Sequence, residues 1–195
     1  MNWGFLFFFN SILLGVGLAI DAFSVSIANA IADPKMKRTR MCLIAGTFCF
    51  FQIIMPLIGW FCVHEVVEYF KAFQPFIPYI ALLLLLYIGG KMLIEAIKGG
   101  EEEEEVGKLS FSTLMVQGVA TSIDALSVGF AIADYQGAEA LVASLLIGVV
   151  TFFICMGGLI IGKTVGNKFS SKASILGGVI LILIGIEVFI KGVFF

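Results

Sequence analysis

Ile20-Asp21-Ala22-Phe23-Ser24-Val25-Ser26-Ile27-Ala28-Asn29-Ala30 places a bare carboxylate inside an apolar run that extends from Trp3 to Ala32. The same chemistry returns 103 positions later, from Asp21 to Asp124, in Ile123-Asp124-Ala125-Leu126-Ser127-Val128-Gly129-Phe130-Ala131. In each copy a Ser (Ser24, Ser127) follows the Asp by three residues, which a helix puts on the same face. Small residues then recur at a spacing of four: Ala22, Ser26 and Ala30 in the first copy, Ala125, Gly129 and Ala133 in the second. Such stripes let helix backbones approach closely in lipid. An Asp at mid-bilayer costs about 3 kcal/mol on insertion scales, so two in matching surroundings mark a functional site.

The composition demands a membrane. Hydrophobic residues make up 60% of the 195 positions and charged residues 13%, with a mean hydropathy of +1.08. A soluble domain of this length has too little polar surface to carry that composition. The apolar runs are long enough, at roughly 20 residues each, to cross a bilayer as helices. No basic patch interleaved with aromatics suggests nucleic acid. The four cysteines (Cys42, Cys49, Cys62, Cys155) form no C-x-x-C pair and read as small apolar packing residues. Ala28-Asn29-Ala30 looks like a signal-peptidase site. The N-terminus nevertheless carries no Lys or Arg, and the same segment recurs in mid-chain, so the first helix is expected to be retained.

The expected fold is an all-α membrane protein of six transmembrane helices. The first span runs from about Trp3 to Ala30 and ends at Asp33-Pro34. The second covers about Met41 to Val63 and holds Gln52 and Pro56. The third starts near Pro75 and Pro78 and reaches about Ile97, with Lys91 and Glu95 in its last two turns. Residues 98–109, containing Gly99-Gly100 and the run Glu101 to Glu105, form an acidic linker between residues 1–97 and 110–195. The fourth span is about Ser110 to Ala133, the fifth about Ala140 to Gly162 and the sixth about Ala173 to Phe194. The two halves match beyond the Asp motif: at the same offset Gly59 falls on Gly162, and Ile54-Met55, just before Pro56, falls on Gly157-Gly158. Both second-in-repeat helices therefore carry a weak point at one depth.

Lys and Arg counts orient the chain. Lys35, Lys37, Arg38, Arg40, Lys98, Lys108, Lys163, Lys168 and Lys172 follow spans one, three and five, whereas the opposite side has only Lys71 and Lys191. The basic loops are expected in the cytoplasm and both termini outside. Three helices per repeat is an odd number, so the second repeat enters from the opposite face. That is an inverted-topology repeat, with a substrate site expected near the midplane between repeats. Asp21 lies 18 residues from Trp3 and 12 from Asp33, and Asp124 lies 16 from Lys108 and 10 from Asp134. A two-fold axis in the membrane plane would bring the two carboxylates together.

Two facing carboxylates in low dielectric require a cation or a shared proton. Ser24, Thr121, Ser127, Gln52 and Gln117 supply further oxygens, and Gln117 and Thr121 precede Asp124 by seven and three residues, on its side of the helix. Hard oxygen donors suit Mg²⁺, Ca²⁺ or Mn²⁺, while Zn²⁺ or Cu would ask for His or Cys. The lone histidine, His64, sits at a span end. The bland alternative is that each Asp merely bonds a neighbouring helix. Lys91 and Glu95, four apart, read as a local ion pair or as a gate. The Glu101–Glu105 run reads as a solvated linker or as a cytoplasmic cation collector.

Several stretches together resemble the MntP-type manganese efflux pumps of bacteria. They are Leu18-Ala19-Ile20-Asp21-Ala22-Phe23-Ser24-Val25-Ser26, Phe51-Gln52-Ile53-Ile54-Met55-Pro56-Leu57-Ile58-Gly59-Trp60, Ile88-Gly89-Gly90-Lys91-Met92-Leu93-Ile94-Glu95, Ala120-Thr121-Ser122-Ile123-Asp124-Ala125-Leu126-Ser127-Val128-Gly129 and Ile175-Leu176-Gly177-Gly178. The resemblance spans essentially the whole chain, acidic linker included. It implies a six-helix exporter of the bacterial inner membrane that lowers cytoplasmic Mn²⁺, with Asp21 and Asp124 at the metal. Manganese is then substrate, and no resident cofactor is expected. Members of that family often carry Lys eight residues after the first Asp, where this chain has Asn29.

Two other function classes compete with a divalent-cation exporter. An exporter of small organic solutes such as amino acids would need a fixed cation near the site, and no Lys or Arg lies at the depth of either Asp. A non-transporting assembly or sensing protein would tolerate Asn at both Asp positions. An enzyme is not expected, because no Ser-His-Asp set, metalloprotease motif or phosphate loop is present. The orientation is open to direct measurement: a reporter inserted at Glu103 should be cytoplasmic, and one fused at Phe195 extracytoplasmic. The reverse result would overturn both the orientation and the inverted-repeat expectation, since both follow from one count.

Overall fold

In a computed structural model the described residues are 4–65, 110–168 and scattered positions within 79–94 and 175–190. All regular structure among them is helical. The elements are α1 (Phe5–Ala32), α2 (Arg38–Glu65), α3 (Phe111–Ala120), α4 (Ile123–Ala131) and α5 (Gly137–Lys168). Three helical stretches are long and apolar enough to cross a membrane: Phe5–Ala32, Arg38–Cys62 and Gly137–Gly166. The α3–α4 pair adds a fourth if its two pieces, bent by 42°, count as one span. The third and sixth expected spans lie largely outside the described residues, and Lys91 and Glu95 lie wholly outside them. Where positions in those spans are described they are helical, and the Tyr79 and Phe189 rings meet edge to face with centroids 5.0 Å apart.

Three sequence expectations change. The fourth span is interrupted: α3 stops at Ala120 and α4 begins at Ile123. The expected weak points, by contrast, interrupt nothing, because α2 continues through Pro56 and α5 through Gly157-Gly158. The fifth span also runs longer than expected, to Lys168. Its extra turns rest on the end of α1, with Gly166 against Ile31 and Pro34. Lys163 Nζ there donates to the Met36 carbonyl oxygen at 2.9 Å.

Among the described residues the main packing crosses between the two halves of the chain. α1 lies chiefly along α5 and scarcely touches α2, while α2 packs on α5, α4 and α3. Along the first contact Gly15 meets Ile147 and Val150, Gly158 meets Phe23 and Gly162 meets Ile27, so α1 and α5 run parallel. Along α2, Thr47 and Phe51 meet Gly118 and Gly59 meets Leu126 and Gly129, so α2 runs parallel to α3–α4. Ile53 meets Gly148 and Met36 meets Lys163, so α2 and α5 run antiparallel. The motif helices α1 and α3–α4 therefore point in opposite directions.

The two ends of the bundle differ chemically. One gathers the close of α1, the start of α2 and the close of α5, with Arg40 3.7 Å from Asp33 and Lys163 on Met36. The other is aromatic: Trp60 Nε1 donates to Tyr135 O at 3.0 Å, and the Phe7 and Tyr135 rings lie 5.4 Å apart. Between them Val25, Ile44, Phe48, Leu114 and Leu159 are buried, while Phe50, Phe61 and Phe153 are exposed on the outer surface. Exposed apolar bulk around a fully helical backbone is what a bilayer stabilises.

Close approach depends on glycine at specific crossings. A Cβ at Gly59 would land on the Leu126 carbonyl oxygen, and one at Gly129 on the backbone of Gly59 and Trp60. At Gly46 and Gly157 a Cβ would meet nothing within 4 Å. Gly59→Ala and Gly129→Ala should therefore each destabilise the folded protein, by about 1–3 kcal/mol for overpacking. Gly46→Ala and Gly157→Ala should be neutral or mildly stabilising through helix propensity. Thermal unfolding of detergent-solubilised variants, followed by size exclusion, separates the two pairs. Equal behaviour of all four would show that the α2–α4 crossing is looser than described.

Candidate functional site

The two Asp motifs take different local structures, and the residues just before each Asp explain why. α1 runs unbroken through Asp21, where Leu18-Ala19 precede Ile20. At the equivalent place the second motif has Thr121-Ser122, whose hydroxyls compete with the backbone ladder. Thr121 Oγ1 donates to Gln117 O at 2.9 Å and Ser122 Oγ to Gly118 O at 2.6 Å. Back-bonding of this kind bends helices. The Ser122 N–H reaches Val119 O at 3.2 Å, a tightened last turn. Past the break the Ala125 N–H donates to Ser122 O at 3.1 Å and to Asp124 Oδ1 at 2.9 Å. In an unbroken helix that N–H would serve Thr121 O.

Gln52 takes over that carbonyl. Its Nε2 donates to Thr121 O at 3.2 Å and, more loosely, to Leu18 O at 3.5 Å. Leu18 and Thr121 are equivalent positions, each three residues before its Asp. One side chain on α2 thus ties the backbones of both motif helices at the same register. Gln52 is fully buried, and its Oε1 has no hydrogen-bond partner among the described residues. A buried acceptor left unsatisfied costs about 1–3 kcal/mol.

A second polar link joins the halves. Asn29 Nδ2 donates to Gln117 Oε1 at 2.8 Å, and Gln117 Nε2 donates back to Asn29 Oδ1 at 3.1 Å. Both side chains are buried, at 2% and 0% exposure, so each amide satisfies the other where water cannot. Sequence reasoning placed Gln117 near the metal, whereas the structure commits its amide to Asn29. The available signal was an Asn in an apolar run, about two turns past Asp21, as Gln117 lies about two turns before Asp124.

The remaining sequence candidates fall as follows. Asp21 is half-buried and Asp124 exposed, in the first turn of α4. Ser24 Oγ donates to Ile20 O at 3.0 Å, within its own helix, and Ser127 is exposed. Ala22, Ser26, Ala30, Ala125 and Gly129 are buried, and Ala133 is half-buried. Ala30 backs onto α5, where a Cβ at Gly162 would fall 2.9 Å from its own Cβ. Among the described residues no three His, Cys, Asp or Glu side chains group as a metal cluster. The polar groups at the motif level are oxygens and amides, a donor set for hard cations.

Comparison with known proteins fits this arrangement. The family described as "Putative manganese efflux pump" matches residues 35–189. A protein of Clostridium perfringens (strain 13 / Type A) named "Putative manganese efflux pump MntP" is 41% identical, with 92% of each chain covered. One of the same name from Ruminiclostridium cellulolyticum is 39% identical over 94% of this chain and 96% of its own. "Putative manganese efflux pump MntP 2" of Clostridium botulinum (strain Langeland) is 39% identical over 92% of each. No solved structure matches. The match takes in α2, the broken α3–α4 helix with its Asp124 motif and α5, and the relatives extend it over nearly the whole length: this chain belongs to the MntP family of manganese efflux pumps.

Proposed function

We propose that this chain exports Mn²⁺ from the cytoplasm through a site shared by Asp21 and Asp124, one from each of two inverted three-helix repeats in the bacterial inner membrane. The relatives' names supply the metal. The observation that carries the paired site is the Gln52 bridge, which holds Leu18 O and Thr121 O within reach of one amide nitrogen. Each Asp stands one helical turn beyond its carbonyl. The opposed directions of α1 and α3–α4, and of α2 and α5, support the inverted repeat. Basic residues gathered at one end and aromatic residues at the other support a cytoplasmic and an outer face.

On this reading the two carboxylates neutralise a divalent cation, with Thr121 and Ser127 as nearby oxygens and Ser24 turned into its own helix. Metal and proton compete for the same two carboxylates, so proton entry is the natural return step. A broken helix at the site is a recurring feature of transporter cores, where irregular backbone lines a binding region. The continuous α1, packed tightly on α5, supplies the fixed wall.

The test uses a strain lacking its own exporter. Asp21→Asn and Asp124→Asn should each lower Mn²⁺ export per inserted molecule by more than about tenfold. Both should remain folded, since the substitution removes a charge from the apolar layer. Everted vesicles carrying wild-type protein should take up Mn²⁺ faster with an opposing proton gradient than without. Wild-type export by either Asn variant at equal protein level would show that Asp to be structural. Transport indifferent to the gradient would remove proton exchange and leave the carboxylate site standing.

A further inference from the structure

Gln52 is turned two ways, and the second way has no protein partner. Its orientation follows from its neighbours: Nε2 faces two carbonyl oxygens, Leu18 O and Thr121 O. The flipped amide would set oxygen against oxygen at both. Oε1 is therefore the end directed away from those carbonyls, and it is buried without a donor. Among the described residues only two other buried side-chain oxygens share that condition, the hydroxyls of Ser26 and Ser144. A hydroxyl can rotate to change its partner, whereas an amide clamped through its nitrogen cannot.

Two other polar side chains near this level already have partners. Gln117 exchanges two hydrogen bonds with Asn29, and the Thr121 hydroxyl donates to Gln117 O. Gln52 Oε1 is a neutral amide oxygen with no donor among the described residues, and its anchoring carbonyls lie one turn before the two Asp residues. A hard cation takes amide and carbonyl oxygens alongside carboxylates, and a neutral ligand adds coordination without adding charge. That matters for a carrier: two carboxylates balance a divalent cation, and a third would hold it too firmly to release.

We propose that Gln52 is a two-ended residue of the site, whose Nε2 fixes the spacing of the two motif helices while its Oε1 is a neutral ligand of the transported cation. The break at Thr121–Ser122 is what allows this, because it frees the carbonyl that anchors the amide. The inference rests on the Asp21–Asp124 reading and adds to it a ligand from α2, which carries no Asp motif.

The experiment measures Mn²⁺ binding to purified full-length protein in detergent, by loss of the free-ion electron paramagnetic resonance signal, beside transport in vesicles. Gln52→Met keeps the volume and removes both amide ends. It should weaken Mn²⁺ binding by about 10- to 100-fold with unchanged unfolding temperature or a modest fall. Gln52→Glu keeps an oxygen and adds charge. It should bind Mn²⁺ at least as tightly as wild type yet turn over more slowly, a split that a purely structural role would not produce. Asp21→Asn serves as the reference for loss of the site. Wild-type protein that bound no Mn²⁺ would overturn the exporter reading and this one with it. If wild type binds and Asp21→Asn does not, while Gln52→Met retains wild-type affinity, only the role of Gln52 is overturned. Weakened binding in both Gln52→Met and Gln52→Glu would overturn the ligand role of Oε1.

Discussion

A helix interrupted inside the hydrocarbon layer must find a partner for every backbone group that it releases. The break at Thr121–Ser122 meets that constraint in three ways at once. The two hydroxyls bond carbonyls of the preceding turn, the last turn of α3 tightens, and Gln52 donates to Thr121 O. The third solution draws in the rest of the bundle, because Gln52 belongs to α2 and also reaches α1. For its side chain to span that distance, α2 must lie almost in backbone contact with α4. Gly59 and Gly129 make that approach sterically open. The break, the glycine crossing and the amide bridge are therefore one arrangement.

The likeness of the two Asp motifs is chemical more than geometric. Asp21 sits on a continuous helix whose opposite face is packed by a row of α5 glycines, Gly158, Gly162 and Gly166. Asp124 opens a helix of nine residues, where a negative charge is favoured by the exposed N–H groups of the first turn. Equivalent residues thus have unlike freedom: one carboxylate is carried by a long braced rod and the other by a short segment beyond a bend. A short segment beyond a bend can shift while a long braced helix stays put.

Much of this was legible in the chain. The apolar runs, the two Asp motifs and the small-residue stripes follow from composition and periodicity, which report directly on burial in lipid. The break was not legible, because Thr and Ser in apolar helices more often back-bond without interrupting them. Only the combination of both with an outside donor on α2 makes the interruption stable, and that donor is a tertiary fact. Pro56 marked a weak point by local rules, yet α2 passes through it. Polarity singled out Gln52, Gln117 and Thr121 but could not apportion their hydrogen bonds: the Gln117 amide pairs with Asn29, and the Thr121 hydroxyl donates within its own helix. The two matching motifs were visible, but not that, among the described residues, α1 and α2 pack mainly on α3, α4 and α5.

That exchange of partners bears on how the protein is made. α1 ends at Ala32, and its principal neighbour α5 does not begin until Gly137. Helices delivered to the bilayer in order of synthesis leave the α5-facing side of α1 in lipid until Gly137 and the residues after it have emerged. The faces that end against glycine must first be solvated by acyl chains and then be stripped of them. Closure of the α1–α5 contact is therefore a late, lateral event in the plane of the membrane.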